Sequence, residues 1–138
     1  INVKYCVTDG SALLGSGGEW EAKFDLILAF DVIHDMTDPA GALQSVRRAL
    51  KSGGCFAMVD IRAGTGLRAN LQHAMAPFLY TVSLMHCMPQ GMNDGGPGLG
   101  MMWGRQKACE MLKAAGFEAI EVVEFPFDAF NDCYFCRV

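Results

Sequence analysis

Three features that would indicate particular partners or locations are missing from this 138-residue sequence. No run of roughly 18 apolar residues is free of charge and proline, so the sequence predicts no membrane span and no membrane partner. The formal net charge is -4, whereas nucleic-acid binding normally needs a basic face, so we expect no nucleic-acid partner. The first residues, INVKYCVTDG, lack the basic and then apolar layout of a signal peptide.

The six cysteines are not spaced as metal ligands. Only Cys133 and Cys136 form a C-x-x-C, and their segment, DCYFCRV, is typical of a strand, in which residues three apart point to opposite faces. His86 beside Cys87 has no second ligand pair. The sequence therefore predicts no metal site, reduced buried thiols, and a reducing, cytoplasmic location.

Strand-like and helix-like segments alternate, which indicates a single α/β domain over residues 1–138. Strands are predicted at 3–7, 24–30, 55–60, 120–125 and 133–138. The first helix is predicted from Pro39, after an Asp38 N-cap, to a stop at 52–54. Further helices are predicted over 67–88, which Pro77 should kink or split, and over 104–115. The apolar run at 26–30 does not alternate, as expected for a parallel strand covered on both faces.

Carboxylates stand at the ends of three predicted strands. Asp9, Asp31 and Asp60 all occupy such positions, and the second is followed by the pair His34 and Asp35 within FDLILAFDVIHDMTDP. Small molecules bind beyond the carboxyl ends of strands in sheets of this kind, so we expect a ligand site at this rim. The alternative is that each carboxylate only caps the turn that follows.

Two stretches carry a family resemblance. FDLILAFDVIHDMTDP with ALQSVRRALKSGGCFAMVDI resembles the middle of class I S-adenosylmethionine (SAM)-dependent methyltransferases, and GLGMMWGRQKACEMLKAAGF resembles their branch with an N-terminal winged helix. The resemblance implies a Rossmann-like sheet, mostly parallel with an antiparallel C-terminal strand, and helices on both faces. It also implies SAM as the cofactor and a small-molecule acceptor.

Matched positions imply the cofactor contacts. Asp9 with Gly10 is similar to the acidic residue whose carboxylate accepts the adenine amino group, and Ser11 would add a backbone contact. Phe30 and Asp31 are similar to the strand end beside the sulfonium and its methyl group.

His34 and Asp35 are similar to the His-Asp pair of small-molecule O-methyltransferases, in which the His removes the acceptor's proton. An imidazole can do this near neutral pH, because its ordinary pKa is about 6.5. The alternative is that His34 only hydrogen-bonds the backbone at a helix start.

The apolar segment 67–88 is the expected lid over the acceptor. Its apolar wall would comprise Met75, Phe78, Tyr80, Met85, Met88 and Met92, with plain core packing as the alternative. The candidates for substrate binding are Asn70, Tyr80, His86 and Trp103.

The family's glycine-rich G-x-G-x-G turn and second-strand acid are not found before Val3, and Gly15, Gly17 and Gly18 do not replace them. We therefore expect a partial catalytic domain, a fragment with low or no activity alone. Without neighbouring strands, segment 24–30 would be a bare edge. We expect either segment 3–7 or another chain to cover it. The alternative function is a non-catalytic association module that forms a homodimer through this edge.

Overall fold

The computed structural model describes residues 2–10 and 18–138; Ser11, a predicted cofactor residue, lies outside them. The strands are β1 (Phe24–Phe30), β2 (Leu50–Ile61), β3 (Ala119–Val123) and β4 (Asn131–Arg137). The helices are α1 (Pro39–Ala49), α2 (Ala76–Val82), α3 (Met88–Gly91) and α4 (Arg105–Ala114). Short 3-10 turns span Ile33–Asp35, Leu67–Asn70 and Asn93–Gly95, and a π turn spans Ser83–Cys87. None of the described helices is long and apolar enough to cross a bilayer.

The four described strands form one sheet in the order β1-β2-β4-β3. β1 and β2 are parallel, whereas β4 runs antiparallel to both β2 and β3. β3 therefore shares the direction of β1 and β2. The predicted α/β class, with a mostly parallel sheet and an antiparallel C-terminal strand, is confirmed.

One face of the sheet carries the main core. Phe56 and Met58 of β2 and Tyr134 of β4 point to this face and are at most 1% exposed. Leu43 of α1 and Leu112 of α4 pack against them in the same cluster. Both helices repeat apolar residues at helical spacing, so each buries one stripe and leaves its charged side in water.

Within the described part of the chain, the opposite face is covered at its carboxyl end. Alternation along β2 places Ile61 on this face, where it packs with Ala76 and Leu79 of α2. Helices thus contact both faces. Further along, three apolar side chains of β1 stand in solvent: Leu26, Leu28 and Phe30 are 55%, 53% and 63% exposed.

The predicted strand over residues 3–7 is wrong. Residues 2–9 have no regular secondary structure, and Val3, Tyr5 and Val7 are 65%, 93% and 108% exposed. β-propensity alone does not hold a short strand, because its stability depends on packing against neighbours. Among the described residues, β1 therefore has no partner on its outer edge.

The first helix begins where the sequence predicts it. The Oδ1 atom of Asp38 accepts a hydrogen bond from the Gly41 backbone nitrogen at 2.9 Å, and Pro39 occupies the first helical turn. The predicted stop at 52–54 is wrong, since the helix ends at Ala49 and Leu50 is already extended. β2 begins at Leu50, which pairs with Phe24 of β1, and residues 51–54 form an irregularity before regular pairing resumes at Cys55.

The segment 67–88 is split at Pro77, as predicted, because residues 71–75 are not helical and α2 begins at Ala76. Pro77 lies in the first turn of α2, where proline's missing N–H costs no hydrogen bond. The helical path continues from α2 through the π turn into α3. α4 matches its predicted range to within one residue at each end.

Candidate functional site

A buried imidazole lies at the carboxyl ends of β1 and β2. The turn after β1 carries His34, and the parallel pairing of the two strands brings it to Asp60, 26 residues away. His34 Nδ1 lies 2.8 Å from Asp60 Oδ1, and these residues are 2% and 1% exposed. The same oxygen accepts hydrogen bonds from Trp103 Nε1 at 3.1 Å and from the Ile61 backbone nitrogen at 2.8 Å. Because a carboxylate oxygen accepts hydrogen bonds, His34 Nδ1 carries a proton and donates a hydrogen bond to Asp60.

A second carboxylate lies on the other side of the ring. Asp35 Oδ1 is 3.3 Å from His34 Nε2, close enough for an ion pair. That oxygen is buried and makes no hydrogen bond of good geometry to any described residue. Burial lowers the pKa of His34, but the hydrogen bond to Asp60 and the charges of Asp60, Asp35 and Asp31 outweigh it. The pKa of His34 is therefore raised above its ordinary value.

Asp35 also opens onto a polar cleft of about 230 Å³, which we name the Asp35 cleft. Its lining residues are Asp9, Gly10, Asp35, Met36, Thr37, Asp38, Gln90 and Asn93. The fold thus brings the predicted adenine-binding residues Asp9 and Gly10 to the predicted catalytic residue Asp35. Asp9 reaches this position from an exposed, irregular segment and not from a strand end.

The strand end at Phe30 and Asp31 borders a separate pocket of about 310 Å³. Asp31 has φ 47°, a left-handed conformation that is uncommon outside glycine, and its backbone nitrogen donates to Val59 O at 2.9 Å. Burial and the nearby Asp60 raise the pKa of the Asp31 carboxyl. Phe127 stacks on Phe125 at 5.2 Å in the same pocket, so acidic and aromatic groups meet here.

The four predicted substrate-binding residues do not converge. Asn70 and Tyr80 line one cavity, at which the Asn70 amide donates to the Tyr80 hydroxyl at 3.1 Å. His86 is 66% exposed and lies 4.0 Å from Asp35, beside the Asp35 cleft. Trp103 is buried and belongs to the His34 network.

The predicted apolar wall of the lid is largely exposed. Met75, Phe78, Met85 and Met92 are 36%, 59%, 78% and 57% exposed. The alternative was that these side chains pack in the core, and their exposure contradicts it. The role of this segment as a lid remains a prediction.

Two groups of side chains have the spacing of metal ligands. They are His34, Asp35 and Cys87, and Asp31, His34 and Asp60, each with ligand atoms within 4.8 Å of one another. Both groups share His34, whose Nδ1 is already bonded to Asp60. Burial and the neighbouring Asp35 raise the pKa of the Cys87 thiol to about 11, which disfavours the thiolate that a metal needs.

The thiols are unpaired at all six cysteine positions, which all lie in the described ranges. Cys133 and Cys136 belong to β4, and only Cys136 joins the main core cluster. This agrees with the prediction that the two residues of the C-x-x-C point to opposite faces.

Asp60 is the residue of the His34 network that the predicted site leaves out. Its position at the end of a buried strand was visible in the sequence, as was its membership of the carboxylate rim. The sequence does not show that Asp60 pairs with His34, because packing sets the register of two strands that are separated by a helix. Trp103 is predicted to contact the substrate, and no sequence signal indicates its hydrogen bond to Asp60.

Comparison with known proteins gives the family and the fold of this chain. A family described as "Methyltransferase domain" matches residues 1–120. No curated protein sequence matches this chain. Among solved structures, human N-acetylserotonin methyltransferase in complex with SAM aligns with a TM-score of 0.59 and 16% identity, over 82% of this chain and 29% of that protein.

Two further structures are similar to a comparable degree. The trans-methyltransferase CalH in complex with SAH has a TM-score of 0.63 and 24% identity, over 99% of this chain and 36% of that one. An O-methyltransferase family protein from Burkholderia thailandensis aligns with a TM-score of 0.62 and 12% identity, over 94% of this chain and 32% of that one. The chain thus spans about one third of the length of these proteins. The matched family and the shared sheet together show that this chain belongs to the methyltransferase domain family of class I, Rossmann-like fold.

Proposed function

We propose that this chain is part of a SAM-dependent methyltransferase that acts on a small-molecule acceptor. The observation that carries the proposal is the Asp35 cleft, where Asp9 and Gly10 meet Asp35, whose carboxylate lies 3.3 Å from the buried His34 ring. In this proposal Asp9, Gly10 and Ser11 hold the adenosine part of SAM. Phe30 and Asp31 lie beside the sulfonium, whose positive charge suits an aromatic ring and a carboxylate.

We propose His34 as the base for O-methylation. In-line transfer breaks the sulfur–methyl bond and forms an oxygen–methyl bond, and it depends mainly on alignment. The acceptor's hydroxyl proton would go to His34 Nε2, since Asp60 holds the proton on Nδ1. To reach Nε2, the hydroxyl must take the place of Asp35 Oδ1, whose 3.3 Å contact is not a well-aligned hydrogen bond.

Calorimetric titration with SAM and with SAH tests the cofactor part. We expect measurable heat for the native chain and little or none for Asp9→Ala, because the adenine contact is lost. Glu118→Ala, at an exposed position outside the Asp35 cleft, should behave like the native chain. No binding at millimolar ligand would contradict the proposal.

The second candidate function is an association module without catalysis. It is favoured by the unpaired edge of β1 and the exposed side chains of Leu26, Leu28 and Phe30. In this case the chain would bind no SAM and would form a homodimer through the edge. Absence of heat in the titration, together with a dimer in light scattering, would favour this function.

A further inference from the structure

A further cavity lies apart from the Asp35 cleft. It has a volume of about 520 Å³ and is enclosed by the Leu67–Asn70 turn, the residues that follow it and the start of α2. We name it the Tyr80 pocket. It shares no lining residue with the Asp35 cleft or with the pocket at Phe30. Its size falls in the usual range for small-molecule sites, roughly 300 to 1,000 Å³.

The lining of the Tyr80 pocket combines apolar side chains with a few uncharged or weakly basic polar groups. The apolar residues are Leu67, Leu71, Ala74, Ala76 and Pro77, and the polar ones are Asn70, Gln72, His73 and Tyr80. No Asp, Glu, Lys or Arg contributes to the lining. A charged ligand would lose its hydration here without finding an opposite charge, so the pocket selects against ions.

His73 is held by two hydrogen bonds within the protein. Its Nδ1 accepts a hydrogen bond from the Met75 backbone nitrogen at 3.3 Å. Its Nε2 donates to the Arg62 carbonyl oxygen at 3.1 Å, since a carbonyl oxygen can only accept. Both nitrogens are occupied, so His73 offers a ligand no free polar atom.

Asn70 is likewise committed to the protein. It is 2% exposed, its Oδ1 accepts from the Gly64 backbone nitrogen at 2.9 Å, and its Nδ2 donates to the Gly64 carbonyl oxygen at 2.7 Å. The same Nδ2 donates to the Tyr80 hydroxyl at 3.1 Å. Asn70 therefore positions Tyr80 and does not itself reach a ligand.

The Tyr80 hydroxyl is an available donor that Asn70 holds in place, whereas the amide of Gln72, the other uncommitted polar group of the lining, lies on an exposed side chain. The hydroxyl accepts from Asn70, and no described residue accepts the proton of its own O–H group. A fixed phenolic oxygen with an unused proton in an apolar pocket matches an oxygen acceptor on the ligand. A ligand with no such oxygen would leave this proton unpaired, which costs binding free energy.

We propose that the Tyr80 pocket binds an uncharged, largely apolar ring compound that carries a carbonyl or ether oxygen, and that Tyr80 donates a hydrogen bond to this oxygen. The ligand is of one or two fused rings, which the volume accommodates. The proposal concerns binding at this pocket and does not depend on methyl transfer or on SAM.

Fluorescence titration with 6-propionyl-2-(dimethylamino)naphthalene, a neutral two-ring ketone, tests the proposal on the 138-residue chain. We expect saturable binding with one site per chain. Ala74→Trp, which fills the pocket from an exposed position, should weaken binding at least about tenfold through lost contact area. Tyr80→Phe should weaken it about 5- to 10-fold, the usual effect of one hydrogen bond.

The controls separate this site from other apolar surfaces. The analogue 2-(dimethylamino)naphthalene, which lacks the ketone, should bind native and Tyr80→Phe chains equally. Leu28→Ser, on the exposed sheet face, and Asp9→Ala, in the Asp35 cleft, should leave probe binding unchanged. The Asp9→Ala result also keeps this test independent of the proposed SAM site.

Three outcomes would overturn the proposal. They are non-saturable binding, unchanged affinity in Ala74→Trp, and loss of binding in Leu28→Ser. An equal affinity of Tyr80→Phe for the ketone would overturn the hydrogen bond. If circular dichroism shows that Ala74→Trp does not fold, amide chemical shifts of the native chain are measured with and without the probe. The proposal requires that the probe perturb Leu71 and Ala74, and unchanged shifts there would overturn it.

Discussion

At the scale of single residues, the His-Asp pair could be identified from the sequence, but its surroundings could not. The resemblance singled out His34 and Asp35 as neighbours in the chain. The structure adds Asp60 on the opposite side of the ring and Trp103 behind Asp60. These partners come from distant segments, so only the packing of β1, β2 and the turn before α4 could bring them together.

The raised pKa of His34 predicts a pH-dependent contribution to stability. Below the unfolded-state pKa of about 6.5 the imidazolium between Asp60 and Asp35 stabilises the fold fully. This contribution is lost as the pH rises through the higher native pKa. We expect His34→Gln to lower the free energy of unfolding by about 3 kcal/mol at pH 6 and by less at pH 9.

Urea unfolding of both chains at the two pH values measures this difference. His86→Gln is the matched control, because His86 is 66% exposed and should change stability little at either pH. If the difference in unfolding free energy between the native chain and His34→Gln increased with pH, its sign would be opposite to the expected one. That result would rule out the buried imidazolium.

The same titration sets the expected pH dependence of catalysis. A base must be neutral to accept a proton, so O-methylation by His34 should rise as the pH increases through its raised native pKa. In an active protein that contains this chain, initial rates between pH 6 and 9 with a phenolic acceptor would measure the profile. A rate that falls with rising pH, or a profile unchanged in His34→Gln, would exclude His34 as the base.

At the scale of elements, the sequence predicted correctly those features that depend on residues close together in the chain. The Asp38 cap and the start of α1 depend on contacts within a few residues. The predicted strand at 3–7 and the predicted helix stop at 52–54 failed for a different reason. Strand formation requires a partner, and segment 3–7 has none among the described residues. The end of α1 depends on a distant contact, because Leu50 pairs with Phe24 of β1.

Gly104 provides a test of how closely two elements approach. It has φ 87° at the turn into α4, and a Cβ atom there would lie under 3.0 Å from the Thr65 backbone nitrogen and the Gly64 carbonyl carbon. We expect Gly104→Ala to lower the free energy of unfolding by about 3 kcal/mol or more, through the left-handed backbone and the steric overlap.

Gly53→Ala is the matched control for this substitution, because Gly53 has φ 76° but nothing within 4 Å of its added Cβ. It should cost only the backbone strain, about 1 to 2 kcal/mol. Thermal unfolding followed by circular dichroism compares the two. Equal losses of unfolding free energy would show that the close packing of Gly104 against the Gly64–Thr65 segment does not affect stability.

At the scale of the whole molecule, one sheet edge and much of one sheet face lack cover among the described residues. The outer edge of β1 has unpaired backbone groups, and Leu26, Leu28 and Phe30 extend an apolar strip beside it. Edges of this kind promote pairing with another chain. The predicted cover by segment 3–7 is not adopted, which leaves association with a further polypeptide as the proposal.

We expect the isolated chain to associate in a concentration-dependent way. Leu28→Lys places a charge in the centre of the strip and should shift the population toward monomer, as measured by sedimentation velocity at 10 to 200 μM, concentrations on the order used for weak dimers. Met85→Lys is the control, because Met85 is 78% exposed but lies on the helical segment away from the sheet edge. A monomer at every concentration would contradict the association proposal.

The sequence by itself determined the α/β class, the strands at the centre of the sheet, the first helix and the position of the His-Asp pair. These depend on apolar runs, caps and motifs that lie within a few residues of one another. Only the tertiary structure decided that His34 is enclosed by Asp60 and Asp35, that Asn70 and Tyr80 form a cavity apart from the Asp35 cleft, and that residues 2–9 form no strand. Each of these depends on strand register and on contacts between distant segments, which the local pattern of a sequence does not encode.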